Sequence, residues 1–201
     1  MYTEYLYKDS LAHHGIKGQR WGVRRFQNPD GTLTPEGKAR YSATSPKKQL
    51  SNGDYLYKKG TIVGRFGSDN NWDKNSDITY LFTNKKDREF YSNRIGGDEL
   101  IYKFTKDVKM PSLSKQYSDL LDFVKHDKSI NDQYEYAKED PFNFWKDNIN
   151  QGGYVADRYY SSMKSKGYDA LIDFRNFGMS EDPIIIISPN ECIKQMHRDK
   201  H

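Results

Sequence analysis

Charged side chains interrupt the segments of this chain that read as β-strands. Arg65 lies inside one such segment, Asp173 ends an apolar stretch, and Glu181 and Asp182 immediately precede four consecutive isoleucines. A cation from one strand and an acid from another, meeting in a cleft, suit a substrate that carries phosphates and develops positive charge elsewhere. The spacing alone favours the alternative, in which Arg65 and a carboxylate form a structural ion pair at a sheet edge.

Other catalytic patterns are missing from the sequence. It has no glycine-rich loop followed by Lys-Ser/Thr, no Rossmann glycine pattern and no Gly-x-Ser-x-Gly. We expect no metal site, because the single cysteine excludes a Cys-cluster zinc site and the histidines are scattered. We interpret the cysteine as a structural thiol rather than a nucleophile. The residues concerned are Cys192, His13, His14, His126, His197 and His201.

The charge of the chain is divided unevenly. Residues 1–48 hold 9 Lys and Arg against 4 Asp and Glu, whereas residues 49–201 hold 23 against 24. Such asymmetry is typical of an arm that contacts something acidic, attached to a near-neutral domain. The neutral domain argues against a broad DNA-binding face. No apolar run approaches the roughly 20 residues that span a bilayer, and the first residues lack a secretory signal pattern. We therefore expect a soluble protein from a reducing compartment, with no membrane partner.

Glycine and proline punctuate residues 11–41 too often for a long helix or a regular sheet. Cations alternate there with an aromatic ring, which suits a phosphate backbone or an acidic protein groove. The residues are Lys17, Arg20, Trp21, Arg24 and Arg25. A solvated basic tail fits the same composition. The turn-rich stretch 45–54 predicts a linker, so we divide the chain into an arm, 1–50, and a domain, 51–201.

The domain alternates between strand-like and helical patterns. We expect strands over 55–57, 61–66, 78–83, 99–105, 168–173 and 183–188, and helices over 84–94, 112–126, from 141 onward and over 154–166. This order, β-rich, then helical, then β again, predicts an α+β domain whose sheet pairs its first and last segments. The isoleucine run suits a central strand buried on both faces.

The arm carries a dense motif. Residues 12–25 read AHHGIKGQRWGVRR, followed by QNPDG at 27–31 and LTPEG at 33–37. This stretch resembles a module of tailed bacteriophages and prophages of Gram-positive bacteria that recurs near capsid and portal genes, attached to otherwise unrelated domains. The resemblance implies a phage-encoded, virion-associated protein whose arm docks to capsid or portal protein, and which is found in the virion and the host cytoplasm.

Three stretches of the domain resemble the ADP-ribosyltransferase fold. They read KGTIVGR at 59–65, YLFT at 80–83 running into the predicted helix, and KGYDALID at 166–173 followed by the strand at 183–188 and Pro-Asn. Enzymes of that family are α+β with a split antiparallel or mixed sheet. They take a cation from the first core strand, a Ser/Thr-bearing second strand followed by a helix, and an acid from a late strand.

The resemblance implies specific roles, with NAD as the substrate. Arg65 would hold the diphosphate or a ribose hydroxyl, Thr83 would support the site, and an aromatic ring would flank the nicotinamide. Candidates for that ring are Tyr80, Phe82 and Tyr91. An acid would stabilise the oxocarbenium ion as nicotinamide leaves. Asp173 is the first choice for it, followed by Asp182 and Glu181.

The sequence also departs from the family's pattern. It has no Glu/Gln-x-Glu pair on its late predicted strands and no Ser-Thr-Ser on the second strand, and an Asp stands where Glu is usual. Two hypotheses follow. The first is an enzyme that ADP-ribosylates a host protein or nucleic acid, for instance against host defence. The second is a non-enzymatic structural or assembly protein whose arm docks to capsid, portal or DNA.

Overall fold

The computed structural model describes residues 34, 46–67, 78–95, 98–150, 152–177 and 179–196. The arm motif, including its proposed partner-binding residues Lys17, Arg20, Trp21, Arg24 and Arg25, lies outside them. The strands within the described residues are β1 (Lys48–Gln49), β2 (Tyr55–Tyr57), β3 (Ile62–Gly67), β4 (Ile78–Leu81), β5 (Asp98–Phe104), β6 (Val108–Met110), β7 (Ala170–Ile172), β8 (Ile184–Ile187) and β9 (Ile193–Gln195). The helices are α1 (Lys85–Ile95), α2 (Leu113–His126), α3 (Tyr134–Glu139), α4 (Pro141–Asn148), α5 (Tyr154–Ser165) and α6 (Pro189–Cys192), with a 3-10 turn at Asn131–Gln133.

The strands form three small antiparallel sheets, in the orders β1-β2-β6, β3-β5-β9 and β4-β8-β7. Two of these sheets are joined where β3 and β4 meet. There Gly64 and Phe82 exchange two backbone hydrogen bonds, of 3.0 and 2.8 Å. The prediction of a mixed α+β fold is confirmed at this level. The early strand β4 pairs with the late strand β8, as expected from the order of elements.

The isoleucine strand β8 lies at the centre of its sheet, between β4 and β7. All four of its side chains are buried, which confirms the prediction of a strand covered on both faces. Helix α5 ends as expected before Gly167, whose φ of +84° is a conformation that side chains rarely adopt. Helix α2 begins after Ser112, whose hydroxyl accepts from the amide of Lys115 at 3.3 Å.

The strand β1 belongs to the sheet rather than to a free linker. Lys48 pairs with Leu56 and Gln49 with Tyr55. These two residues stand on the arm side of the boundary that we placed at residue 50, so the ordered sheet reaches a few residues into that stretch. The segment becomes important below because Lys47 directly precedes it.

Aromatic rings fill the core between the helices and the β4-β8-β7 sheet. The buried indole of Trp145 contacts Tyr159 edge-on, with ring centroids 5.6 Å apart, and Phe174 at 5.0 Å. Aromatic rings bury large areas and prefer edge-to-face or offset contacts of this kind.

The edge of the β4-β8-β7 sheet is completed by a side chain from α2. Gln116, fully buried, donates to the carbonyl of Ile172 at 2.8 Å and accepts from its amide at 2.7 Å. Gln116→Ala should therefore leave two buried backbone groups unpaired and lower the free energy of unfolding by about 2–3 kcal/mol. Urea denaturation measures this. Ser114→Ala, at an exposed position of the same helix, is the control, and equal midpoints for the two variants would contradict the prediction.

Close packing at the junction of β3 and β4 requires Gly64. A Cβ atom at this position would lie 2.3 Å from Cζ of Phe82, a buried ring. Gly64→Ala should displace that ring and destabilise the fold by about 1–3 kcal/mol, as overpacking does. In a Phe82→Leu background the same substitution should cost much less. Additive effects in this double-mutant cycle would show that the ring is not the obstacle.

Candidate active site

Asp182 is the centre of a buried polar cluster at the start of β8. Its carboxylate is 1% exposed and accepts hydrogen bonds from Thr83 Oγ1 at 2.8 Å, from Lys47 Nζ at 2.5 Å and from the hydroxyl of Tyr57. Thr83 lies two residues beyond the end of β4, the antiparallel neighbour of β8. The pairing of these two strands therefore brings a hydroxyl and a carboxylate together that are 99 residues apart in the chain.

A second buried carboxylate holds the main chain that carries Asp182. Asp87, in the first turn of α1, accepts from the amide of Glu181 at 2.6 Å and from the amide of Asp182 at 2.8 Å. Asn84 caps the helix, since its Oδ1 accepts from the amide of Asp87 while its Nδ2 donates back to the carboxylate, both at 2.9 Å. Burial raises the pKa of Asp87 more than these donors lower it. The start of α1 thus fixes the loop before β8.

A narrow crevice adjoins this cluster at the junction of β3 and β4. Its walls include Gly64, Phe82, Thr83 and Asn84, and its volume is about 10 Å³, close to the room that one water molecule needs. Phe82 stacks between Phe66, at 5.5 Å, and Tyr91, at 6.4 Å between ring centroids. Phe82 and Thr83, both predicted from the sequence as site residues, therefore line one small crevice beside the buried carboxylate of Asp182.

Arg65 lies on β3, next to this junction. Its Nη1 donates to Thr79 Oγ1 at 3.3 Å. Burial raises the pKa of Tyr102, and the charge of Arg65 offsets part of that rise. The register pairs Arg65 with Leu100 and Gly64 with Ile101. Because side chains alternate along a strand, Arg65 points to the opposite face of β3 from Gly64. Arg65 is thus the sequence neighbour of Gly64, which lines the crevice. Its side chain, however, is hydrogen-bonded to Thr79 on β4.

Asp173 is buried in a different environment, after the end of β7. Its Oδ2 accepts from Asn176 Nδ2 at 2.6 Å and its Oδ1 from the amide of Arg175 at 3.0 Å. Burial raises the pKa of Asp173 more than these two donors lower it. Together with burial, the charge of Asp173 also raises the pKa values of Tyr80 and Tyr91. Asp173 therefore stabilises the turn that follows β7, near the aromatic side chains of Tyr80 and Tyr91.

The raised pKa of Asp173 predicts a specific pH dependence. In the unfolded chain the carboxyl titrates near its ordinary 3.8. Because the folded value is higher, this group's contribution to stability is full below the unfolded pKa and is lost as pH rises through the folded pKa. Asp173→Asn removes the titration. Its free energy of unfolding relative to wild type should therefore rise with pH, by about 1.4 kcal/mol for each pH unit separating the two pKa values.

Chemical denaturation of both proteins between about pH 4 and pH 7 measures this difference. Asp107→Asn is the control, because the side chain of Lys58 and then the amide of Lys59 lower the pKa of Asp107. For this control the measurement extends down to about pH 2, because a lowered pKa acts below the ordinary 3.8; there the wild type should gain stability over Asp107→Asn as pH rises, which is the opposite sign. Parallel stability curves for wild type and Asp173→Asn would rule out a raised pKa at residue 173.

The remaining predicted residues are placed as follows. The hydroxyl of Tyr80 donates to Asn150 Oδ1 at 2.8 Å, Tyr91 closes the aromatic stack on Phe82, and Glu181 pairs with Lys86 at the surface. Of the three carboxylates proposed from the sequence, Asp182 is the one that contacts Thr83. Sequence reasoning missed the partners Lys47, Tyr57 and Asp87. The spacing Asn84-x-x-Asp87 at a helix start is a signal that would have suggested Asp87.

Two further groups bear on the chemistry. Burial raises the pKa of the Cys192 thiol to about 11, so it stays protonated near neutral pH and is a poor nucleophile. Among the residues that the structure describes, no group of three or more His, Cys, Asp and Glu side chains is placed to hold a metal ion. The same residues include no helix long and apolar enough to cross a membrane.

Comparison with known proteins gives a match within the arm. A model described as a family of unknown function (DUF7211) matches residues 5–28. This range overlaps the motif at 12–37 and lies outside the residues that the structure describes. No curated protein matches the chain, and no solved structure does.

Proposed function

We propose that the domain is an NAD-dependent ADP-ribosyltransferase that a phage delivers to its host, where it modifies a host protein or nucleic acid in defence of the phage. The observation that carries the proposal is the hydrogen bond from Thr83 to the buried carboxylate of Asp182, beside the crevice lined by Gly64 and Phe82. It joins the end of one strand to the start of its antiparallel neighbour. The sequence resemblance implies a site that contains a hydroxyl from the second strand and an acid from a late strand.

The chemistry assigns a role to each of these groups. When the bond between nicotinamide and ribose breaks, its electron pair leaves with nicotinamide and positive charge develops on the ribose. The carboxylate of Asp182 stabilises that charge, and Thr83 orients the carboxylate. Phe82 offers a ring face to the nicotinamide, and Arg65 supplies the cation for the diphosphate, once its guanidinium leaves Thr79.

We assign the acid to Asp182 rather than to Asp173, the first choice from the sequence. Asp173 is bonded to Asn176 and Arg175 within its own turn. A raised pKa also reduces the fraction of Asp173 that carries the charge that the reaction needs. Asp182, by contrast, accepts hydrogen bonds from side chains of other parts of the fold, Lys47, Tyr57 and Thr83.

The arm is assigned to docking within the phage particle, on capsid or portal protein. Its basic excess and its resemblance to a phage module support this role. The enzyme hypothesis and the docking hypothesis are compatible, because an arm of this kind can package an enzyme in a virion.

The proposal is tested by NAD binding and nicotinamide release from the purified full-length protein. Calorimetry measures binding, and chromatography measures free nicotinamide in the presence and absence of host lysate, which supplies the acceptor. We expect saturable NAD binding and release that the lysate accelerates. A folded protein that neither binds NAD nor releases nicotinamide would reject the enzyme.

One observation favours the non-enzymatic alternative. The carboxylate of Asp182 is paired with a lysine and lies behind an opening of about 10 Å³, as expected of a structural tie between strands. In that case the function resides in the arm, and pull-down with capsid or portal protein should depend on Arg20, Arg24 and Arg25. NAD turnover distinguishes the two hypotheses.

A further inference from the structure

The segment that enters the domain from the arm passes over Asp182. Lys47 Nζ lies 2.5 Å from Asp182 Oδ1, and its side chain is 23% exposed, against 1% for the carboxylate. Tyr57 and Thr83 approach the other oxygen, Oδ2. Lys47 therefore stands between this carboxylate and the solvent, and it neutralises the charge on which the proposed reaction depends.

The segment lies at an edge of the fold. Its strand β1 is two residues long, is exposed at both positions, and forms the edge of the β1-β2-β6 sheet. The ammonium group of Lys47 also lies 4.6 Å from the ring centroid of Tyr55, on the neighbouring strand. A short exposed edge strand is the kind of element that opens locally at low cost, while the core stays folded.

The basic arm precedes this segment in the chain. Residues 46–49 therefore connect the arm to the contact between Lys47 and Asp182. A partner that binds the arm and pulls on this connection would withdraw Lys47 from the carboxylate of Asp182. The hydrogen bond from the amide of Asp182 to Asp87 on α1 is a separate contact and would stay in place. Asp87, which anchors the main chain of Asp182, and Lys47, which covers its carboxylate, thus belong to separate elements.

We propose that residues 46–49 form an autoinhibitory strap, in which Lys47 keeps Asp182 covered and neutralised until engagement of the arm withdraws it. The inference rests on the proposed function for its consequence in catalysis, but the covering itself is measurable without NAD. The crevice is lined by residues outside 46–49, so the strap acts on the carboxylate and not on the walls of the crevice. Withdrawal of the strap frees the carboxylate beside it.

The test measures the reactivity of Asp182 with a water-soluble carbodiimide and glycine ethyl ester, followed by peptide mass spectrometry, in the full-length protein. We compare wild type with Lys47→Met and with Lys47→Gln, which retains a hydrogen-bond donor and so keeps a partner for the buried acid. Lys48→Met, at the exposed neighbouring position, is the matched control. Asp87, equally buried, reports opening of the whole domain. Nicotinamide release is measured on the same samples.

Both Lys47 variants should label Asp182 about tenfold faster than wild type and Lys48→Met, while Asp87 stays unlabelled. Release of nicotinamide should rise by a similar factor in the Lys47 variants. Unchanged labelling of Asp182 in both would overturn the strap, and so would labelling of Asp87 together with Asp182. Measurable nicotinamide release at the same rate in wild type and in the Lys47 variants would overturn its inhibitory role. Faster labelling with no release from any variant supports the strap and rejects the proposed enzyme.

Discussion

Asp182→Asn should lower the rate of nicotinamide release by about 100- to 1000-fold, the loss expected when a group aimed at the developing charge is removed. The amide is close in size to the carboxylate, so Thr83 and Tyr57 keep an acceptor oxygen, and the variant should bind NAD with little change in affinity. Its effect should therefore appear in the rate of bond cleavage rather than in binding. The measurement is single-turnover release of nicotinamide at saturating NAD.

The control for this experiment is Asp173→Asn, which changes the other fully buried strand-end carboxylate among the predicted acids. We expect that variant to retain nearly the wild-type rate at neutral pH, because Asp173 bonds within its own turn. A collapse of activity in Asp173→Asn, with Asp182→Asn active, would return the catalytic role to Asp173. Loss of activity in both, with both proteins folded, would mean that one of the two acts through positioning.

The sequence was informative wherever a pattern is local. The four isoleucines predicted a central strand, and the stripe of apolar residues on α2 predicted its helix nearly to the residue. Asp182 was a candidate because it precedes the isoleucine strand, and Thr83 was named from the family resemblance; their roles in a site stay predictions. The short strands β6 and β9 were missed, since three residues give too little periodicity to recognise.

The partners of Asp182 were beyond sequence reasoning for a physical reason. Tyr57 and Lys47 are 125 and 135 residues away from it along the chain. Their approach depends on how the β1-β2-β6 sheet packs beside β8, which no local pattern encodes. The ranking of Asp173 above Asp182 had a similar cause. A strand-end acid looks the same in sequence whether it bonds to its own turn or to a neighbouring strand.

The anchor of the candidate site gives the largest expected effect on stability. Asp87→Ala leaves three donors without their acceptor, the amides of Glu181 and Asp182 and the side-chain amide of Asn84. Since these groups are buried or partly buried, we expect the free energy of unfolding to fall by about 3–5 kcal/mol. Part of the loss is offset, because the substitution also removes a carboxylate whose burial raises its pKa. Urea denaturation near neutral pH measures the net effect.

The destabilisation by Asp87→Ala should also be local to the loop that carries Glu181 and Asp182. A local effect distinguishes a residue that anchors one loop from a general core residue. Amide hydrogen exchange at Glu181 and Asp182 should accelerate in Asp87→Ala more than exchange in α2, because the loop loses its hold on α1 while the α2 ladder is intact. Glu89→Ala, at an exposed position on the same helix, should change stability by less than about 0.5 kcal/mol. If exchange at the two amides stays slow in Asp87→Ala, other contacts position the loop. Asp182 would then keep its position without the contact to α1. Asp87 would not be the anchor of Asp182, and the distinction between this anchor and the strap would be wrong.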